Sequence, residues 1–316
     1  LFGGFFAGES YYYIAFGQEN LTEDASKEVI RLVKYDKSFQ RLGAAAVRDC
    51  YTSVPFDAGS LRMAEQGDRL VLHTARQRYL TEDGLRHQSQ LTVSFDTRSM
   101  TVTSLELGRF QPNHVSHSFN QFVLFDGERA VLLDHGDAYP RGVVLHRETG
   151  EEAYEAFTLL EIPGALGANC TGVSVGGFAL ADDSYLASVN TIDHSRATAY
   201  DSYRIEGIRQ EERDAVLLAA DRDDGSVKAT YLTHNADTGR TASAPKLVPI
   251  GDGRFLALWE AYSYEGYRYE GEGLSYTIVN GEGTPVTATS YAPDVLISDC
   301  EPIVWNGCVT WFVDRL

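Results

Sequence analysis

Residues 116–146 read SHSFNQFVLFDGERAVLLDHGDAYPRGVVLH. Phe122-Val-Leu-Phe and Ala130-Val-Leu-Leu flank Asp126-Gly127. Asp-Gly between two apolar runs is a strong hairpin signal. Both central residues of a type I′ turn need positive φ, which Gly adopts without a Cβ clash. The stretch predicts two strands, a tight turn at 126–127, a loop crowded with polar side chains, and a third strand.

The same unit recurs. FFAGESYYYIAF turns near Gly8, RMAEQGDRLVLH near Gly67, FVLFDGERAVLL at Gly127, FALADDSYLASV near Asp183, LVPIGDGRFLALW at Gly253 and PIVWNGCVTWFV at Gly307, at intervals of roughly 54 to 70 residues. A second hairpin lies between successive copies of the first. IRLVKYDKSFQRLGAAAV turns at Asp36, LTVSFDTRSMTVTSL at Asp96, VVLHRETGEEAYEAFTLL at Gly150, VLLAADRDDGSVKATYL at Gly225 and LSYTIVNGEGTPVTATSY at Gly283. Helical periodicity is nearly absent, and Val29 to Tyr35 reads as a strand entering a turn. Two hairpins per period make four antiparallel strands, a to d, which is the pattern of a β-propeller. The expected fold is all-β: one six-bladed propeller domain over residues 1–316, built of four-stranded blades with the last blade incomplete. Its missing c–d pair is expected upstream of Leu1. A two-sheet sandwich is the competing architecture, but it does not explain the regular period.

Composition narrows the function classes. The formal charge of −18 argues against nucleic acid and anionic membranes, both of which call for Lys and Arg. No run approaches the roughly 18 apolar residues that a membrane span requires. No signal peptide is visible, and the chain opens at Leu1 rather than Met. The four cysteines, Cys50, Cys170, Cys300 and Cys308, form no CxxC pair, so they are expected as free, mostly buried thiols. A two-residue turn at Asn306-Gly307 would place Cys308 opposite Trp305, so Cys300 and Cys308 would not pair. A monomer is expected.

The b–c connections are expected to be long: 17–28, 75–88, 134–142, 190–214 and 260–273. Long loops on a rigid scaffold carry function. Some d–a connections, such as 48–59 and 108–117, are expected to be long too, and His73, His87, His114, His117, His135 and His194 fall on or beside these loops.

FGQEN at 16–20, PFDAGSLRM at 55–63, VSHSFNQF at 115–122, DHGDAYPRG at 134–142, TGVSVGGF at 171–178 and RFLALWE at 254–260 together give a resemblance over nearly the whole chain. Their order is similar to that in a group of secreted or cell-surface β-propeller proteins of Gram-positive bacteria. The resemblance implies an extracellular or cell-surface setting. It brings no established activity, so no catalytic residue is carried over.

The richest constellation is in the third repeat. A turn at 126–127 would set His117 opposite Gly136, Ser118 opposite His135 and Phe119 opposite Asp134. His117, His135, Asp134 and Asp137 would then share one rim. Three readings stay open. His117, His135 and Asp137 suit one divalent cation, Zn²⁺ or Mn²⁺. A His and a carboxylate suit acid–base work. A hydrogen-bonded network would simply tie the hairpin to its loop. Arg141, after Pro140, offers an anion fork or a carboxylate partner. The second repeat adds His73, His87, Asp57 and Arg62 as ligand-binding candidates, with His73 expected opposite Ser60. Asp221 to Gly225 reads as an acidic turn, since it lacks calcium-loop spacing. Tyr262, Tyr264, Tyr267 and Tyr269 read as cross-strand pairs of a long hairpin, with sugar stacking as the other use.

The first functional expectation is a binding module for a carbohydrate, cell-wall or protein ligand, acting through the loop-rich face. The second is a hydrolase or lyase acting on polysaccharide or peptide at the same face.

Overall fold

The computed structural model describes residues 1–57, 59–105, 118–138, 141–150, 153–265 and 268–313. The chain is all-β, with several four-stranded antiparallel sheets of the β-propeller type. It forms two compact units, Leu1–Glu161 and Ile162–Leu316. Among the described residues no helix is long and apolar enough to cross a membrane.

The first unit holds three sheets. Strands β1 (Phe2–Ala7), β2 (Tyr12–Gly17), β3 (Ile30–Tyr35) and β4 (Arg41–Val47) pair in order. Next come β5 (Thr52–Pro55), β6 (Leu61–Gln66), β7 (Arg69–Arg78), β8 (Gln88–Asp96) and β9 (Thr101–Ser104). Here β6, β7, β8 and β9 pair in succession, and β5 adds to the far end of β7. The third sheet runs β10 (Ser118–Asp126), β11 (Arg129–Gly136), β12 (Gly142–Gly150), β13 (Ala153–Glu161).

The middle strands β7 and β11 are buried on both sides, so their two sets of alternate residues serve two interfaces. In β7, Leu70 and Leu72 join a core with Leu32, Val47 and Ala45 of the first sheet. Val71 faces the other way, onto Ala130 and Leu132 of β11. This explains why the b strands read as near-continuous apolar runs rather than as alternating ones.

In the second unit, β14 (Val173–Leu180) and β15 (Ser184–Thr191) pair, followed by a small ribbon of β16 (Ala199–Tyr200) and β17 (Ile205–Glu206). Strands β18 (Asp214–Asp221) and β19 (Val227–Tyr231) complete the β14–β15 sheet. Strands β20 (Arg240–Ala242), β21 (Lys246–Gly251), β22 (Arg254–Glu265), β23 (Arg268–Asn280) and β24 (Ser290–Ala292) form the next sheet, with β20 and β21 both on β22. Strands β25 (Ile303–Trp305) and β26 (Cys308–Thr310) form a final hairpin. Leu186, Leu217, Leu247, Phe255 and Trp259 pack between the two larger sheets. Gly176 lets β14 approach the segment before β21, since a Cβ there would lie 2.3 Å from the Pro245 carbonyl oxygen.

All eleven expected hairpins occur among the described residues, from β1–β2 to β25–β26. The short turns at Gly253, Gly307, Gly127 and Gly67 are of two kinds. Asp252 and Gly253 both have positive φ, as do Asn306 and Gly307, and Trp305 pairs with Cys308 as expected. At the organising hairpin only Gly127 is positive, and Asp126 pairs with Arg129. The central residues are therefore Gly127 and Glu128, as in a type II′ turn, whose first central residue is Gly. The turn at Gly67 behaves likewise, with Gln66 paired to Arg69.

Two further expectations are corrected. Residues 260–273 are mostly strand rather than loop, because β22 and β23 extend to Glu265 and from Arg268. Cys50 is a buried free thiol, but Cys300 and Cys308 are exposed free thiols at the final hairpin, and Cys170 is half-buried.

Candidate functional site

The shifted turn changes who meets whom. Asn120 faces His135, Gln121 faces Asp134 and Ser118 faces Gly136, with a bulge between Ser118 and Asn120. The expected partners of His135 and Asp134 were two residues away. In the second repeat His73 faces Arg62, not Ser60, for the same reason.

Alternation also separates Asp134 from His135, since neighbours on a strand point to opposite faces. Asp134 turns toward the second sheet. Its Oδ1 lies 2.8 Å from Nε2 of His73, whose Nδ1 lies 2.9 Å from the Thr92 hydroxyl. Its Oδ2 lies 3.3 Å from Nε2 of His146. His73, Asp134 and His146 are 0%, 4% and 1% exposed, so the chain Thr92–His73–Asp134–His146 is sealed between the second and third sheets. His146 was outside the expected set. The signal for it was the β12 run VVLHR, in which one polar residue interrupts a buried face.

His135 lies on the opposite side of its strand. Its Nδ1 is 3.3 Å from the Asn120 Oδ1, and its ring centroid is 5.2 Å from that of Phe119. Asp137 is buried just past β11, and the buried Arg141 donates to its backbone carbonyl at 3.1 Å. His117, the third expected metal ligand, lies outside the described residues, as do His114, Pro140 and Tyr267. Among the described residues no group of three or more His, Cys, Asp or Glu side chains is gathered as a metal would need.

The segment between β5 and β6 is the best-built part of the rim. Phe56 has φ +65°, a conformation that is strained for a bulky residue. The strain is held from both sides. The Phe56 N–H donates to Ala75 O at 2.9 Å. Its ring packs so closely on Gly3 and Gly17 of the first sheet that a Cβ at either would lie 2.6 Å away. At the other end Ser60 N donates to Gln121 Oε1 at 2.7 Å, and Gln121 N donates to the Ser60 hydroxyl at 2.9 Å. Asp57 is held between these anchors, half-buried, and accepts from the Gln88 amide at 3.2 Å. Among the described residues Asp57 makes no ion pair. Arg62 lies beside this segment, its guanidinium 5.0 Å from the Phe122 ring centroid.

His87 is on the outer loop, 2.6 Å from Asp83. The Thr81 hydroxyl, the Leu85 N–H and then His87 bring the Asp83 carboxyl down to about 2. That arrangement is a loop clamp rather than a member of the rim.

In the second unit His194 bridges Thr191 at 3.0 Å and the Tyr200 hydroxyl at 2.8 Å, fixing the β15–β16 connection. The Asp221 carboxylate accepts from the N–H groups of Asp223 and Asp224, an ordinary acidic turn as expected. Tyr264 faces Tyr269 across the β22–β23 hairpin with centroids 4.9 Å apart, and Tyr262 meets the same ring edge-on.

No protein-family model matches the sequence, and no curated protein matches it. Solved structures are similar to it in architecture. An α-L-arabinanase of Penicillium chrysogenum complexed with arabinobiose is 12% identical, covering 77% of this chain and 69% of its own, with a TM-score of 0.48. A xylan β-1,4-xylosidase of Bacillus halodurans is 12% identical over 95% of this chain, which spans 59% of the xylosidase's length, with a TM-score of 0.42. An α-L-arabinofuranosidase of Lactobacillus brevis is 10% identical, covering 89% and 91% of the two chains, with a TM-score of 0.41. These likenesses assign no residue and no activity.

Proposed function

We propose that the chain is a polysaccharide-directed glycoside hydrolase whose site is the rim of the first unit, with Asp57 as one of its carboxylates. The observation that carries this reading is the Asp57 segment. A half-buried carboxylate without an ion pair follows a strained Phe56 and is pinned on both sides. Strain of this kind collects at working sites, and an unneutralised carboxylate is free to move a proton. Cleaving a glycosidic bond adds water across it. One carboxyl group protonates the leaving oxygen, and a second activates the water or attacks the sugar. A second reading, binding without turnover, is favoured by one observation: His73 and His146, the histidines nearest Asp134, are sealed inside the unit, so neither is placed to move a proton at the rim.

The same proposal takes the recurring sheets as blades of a six-bladed propeller, since the a–b hairpin occurs six times, and sets the protein outside the cell, where polysaccharide is met. The test is reducing-sugar release from arabinan, xylan and cell-wall glycans by the full chain and by Asp57→Asn. Turnover that falls at least 100-fold in D57N with unchanged melting supports the proposal. Turnover unaffected by D57N, or binding without turnover across the panel, overturns it.

A further inference from the structure

Asp57 lies on a loop, so the direction of its carboxylate has to be set from outside that loop. Gln88 sets it. The Gln88 amide donates from Nε2 to Asp57 Oδ2 at 3.2 Å, across 31 residues of sequence. Among the described residues this is the one hydrogen bond that the Asp57 carboxylate accepts. The two residues stand on different footings. Asp57 follows the strained Phe56, whereas Gln88 is the first residue of β8 and pairs with Gln77 of β7. That end of β7 is itself fixed. The Ser53 hydroxyl of β5 lies 3.1 Å from Gln77 O and 2.8 Å from Arg78 O, and Arg78 N donates to His87 O at 2.8 Å. On either side of Gln88, His87 is engaged by Asp83 at 2.6 Å and Ser89 is fully buried.

A side chain anchored on a strand is placed more closely than one on a loop, so Gln88 transmits the rigidity of the second sheet to Asp57. Its amide carries no charge. It orients the carboxylate without neutralising it, which an arginine or lysine at the same place would do. Displacing a reacting group by about 1 Å costs on the order of 100-fold in rate. A contact that fixes the direction of a reacting carboxylate therefore bears on turnover more than on stability.

We propose that Gln88 is the positioning residue of the Asp57 site, aiming the carboxylate from the rigid end of β8 while leaving its charge unpaired. The inference rests on the hydrolase reading of Asp57 and adds to it the group that directs it. Gln88 acts through Asp57 and is not itself a catalytic residue.

The experiment is reducing-sugar release from arabinan and xylan by the full chain, Gln88→Leu, Gln88→Glu and Asp57→Asn, each followed across pH with a melting curve. Gln88→Leu should lower kcat at least tenfold, with KM within twofold of the parent and melting unchanged. Gln88→Glu supplies the readout that a merely structural role would not move. Its new carboxyl stands beside that of Asp57, and two carboxyls so close hold one proton between them. Once protonated, the new side chain donates to Asp57 as the amide did. Turnover of Q88E relative to Q88L should therefore climb as pH falls from about 7 to about 5. Carbon-13 titration of the carboxyl groups should show the shared proton in Q88E and lose it when Asp57→Asn is added, with no activity needed. Parent-like turnover in Q88L while D57N is inactive overturns the inference alone, as do parallel pH profiles for Q88L and Q88E or a Q88E without the shared proton. Parent-like turnover in D57N overturns the hydrolase reading and this inference with it.

Discussion

Asp134→Ala should damage the first unit strongly. The carboxylate is 4% exposed and contacts His73 at 2.8 Å and His146 at 3.3 Å. Both imidazoles are sealed from water, so removing the carboxylate leaves the buried Nε2 of His73 without its acceptor. A stranded group costs roughly 1–3 kcal/mol, and breaking a buried charge-bearing pair costs about 3–5 kcal/mol. A loss of about 3–5 kcal/mol follows for D134A. The double change His73→Leu, Asp134→Leu removes both ends of the closer contact together, and an apolar replacement of a buried pair is often tolerated. It should therefore cost less than the sum of its parts, with a coupling of about 1–3 kcal/mol. Urea denaturation at neutral pH, followed by far-ultraviolet circular dichroism, measures all four corners of the cycle. A D134A loss below about 1 kcal/mol, or strict additivity, would refute the claim that this polar chain links the two sheets.

Gly176→Ala should destabilise the second unit by roughly 1–3 kcal/mol or more, because the new Cβ meets the backbone oxygen of Pro245 at 2.3 Å; a melting curve unchanged from the parent would count against the close approach. Burial raises the Glu260 carboxyl above its ordinary range, against the opposing Ile297 N–H bond. A carboxyl raised on folding gives stability below its unfolded pKa and loses it as pH climbs through the folded value. Glu260→Gln should therefore gain on the parent as pH rises from about 4 to about 7; a melting-temperature gap that stays flat or reverses would show the sign to be wrong. Thiol titration of the native chain should find Cys300 and Cys308 reacting quickly and Cys50 only after denaturation; rapid labelling of Cys50 would contradict its burial.

Strands and turns were legible in the sequence because their causes are local. The apolar runs of β10 and β11, the strand reading of Val29 to Tyr35, and the Asn306-Gly307 turn each depend on a handful of adjacent residues and on the φ that Gly permits. The candidate site was legible only as a neighbourhood. Asp126-Gly127 signals a hairpin equally well whether Asp is inside the turn or just before it, and that ambiguity moved the pairing of His135 and Asp134 by two residues. Asp134 and His135 were adjacent in sequence and looked like one site, yet the pleat sends them to opposite faces. His73 and Asp134 stand 61 residues apart and meet only because β7 and β11 pack face to face. Nothing in the sequence showed that Asp57 would be pinned between the first and third sheets by Phe56 and Ser60. Hydrogen bonding and chirality act within a few residues and can be read from them, whereas the partners of a buried charge are chosen by the packing of whole sheets.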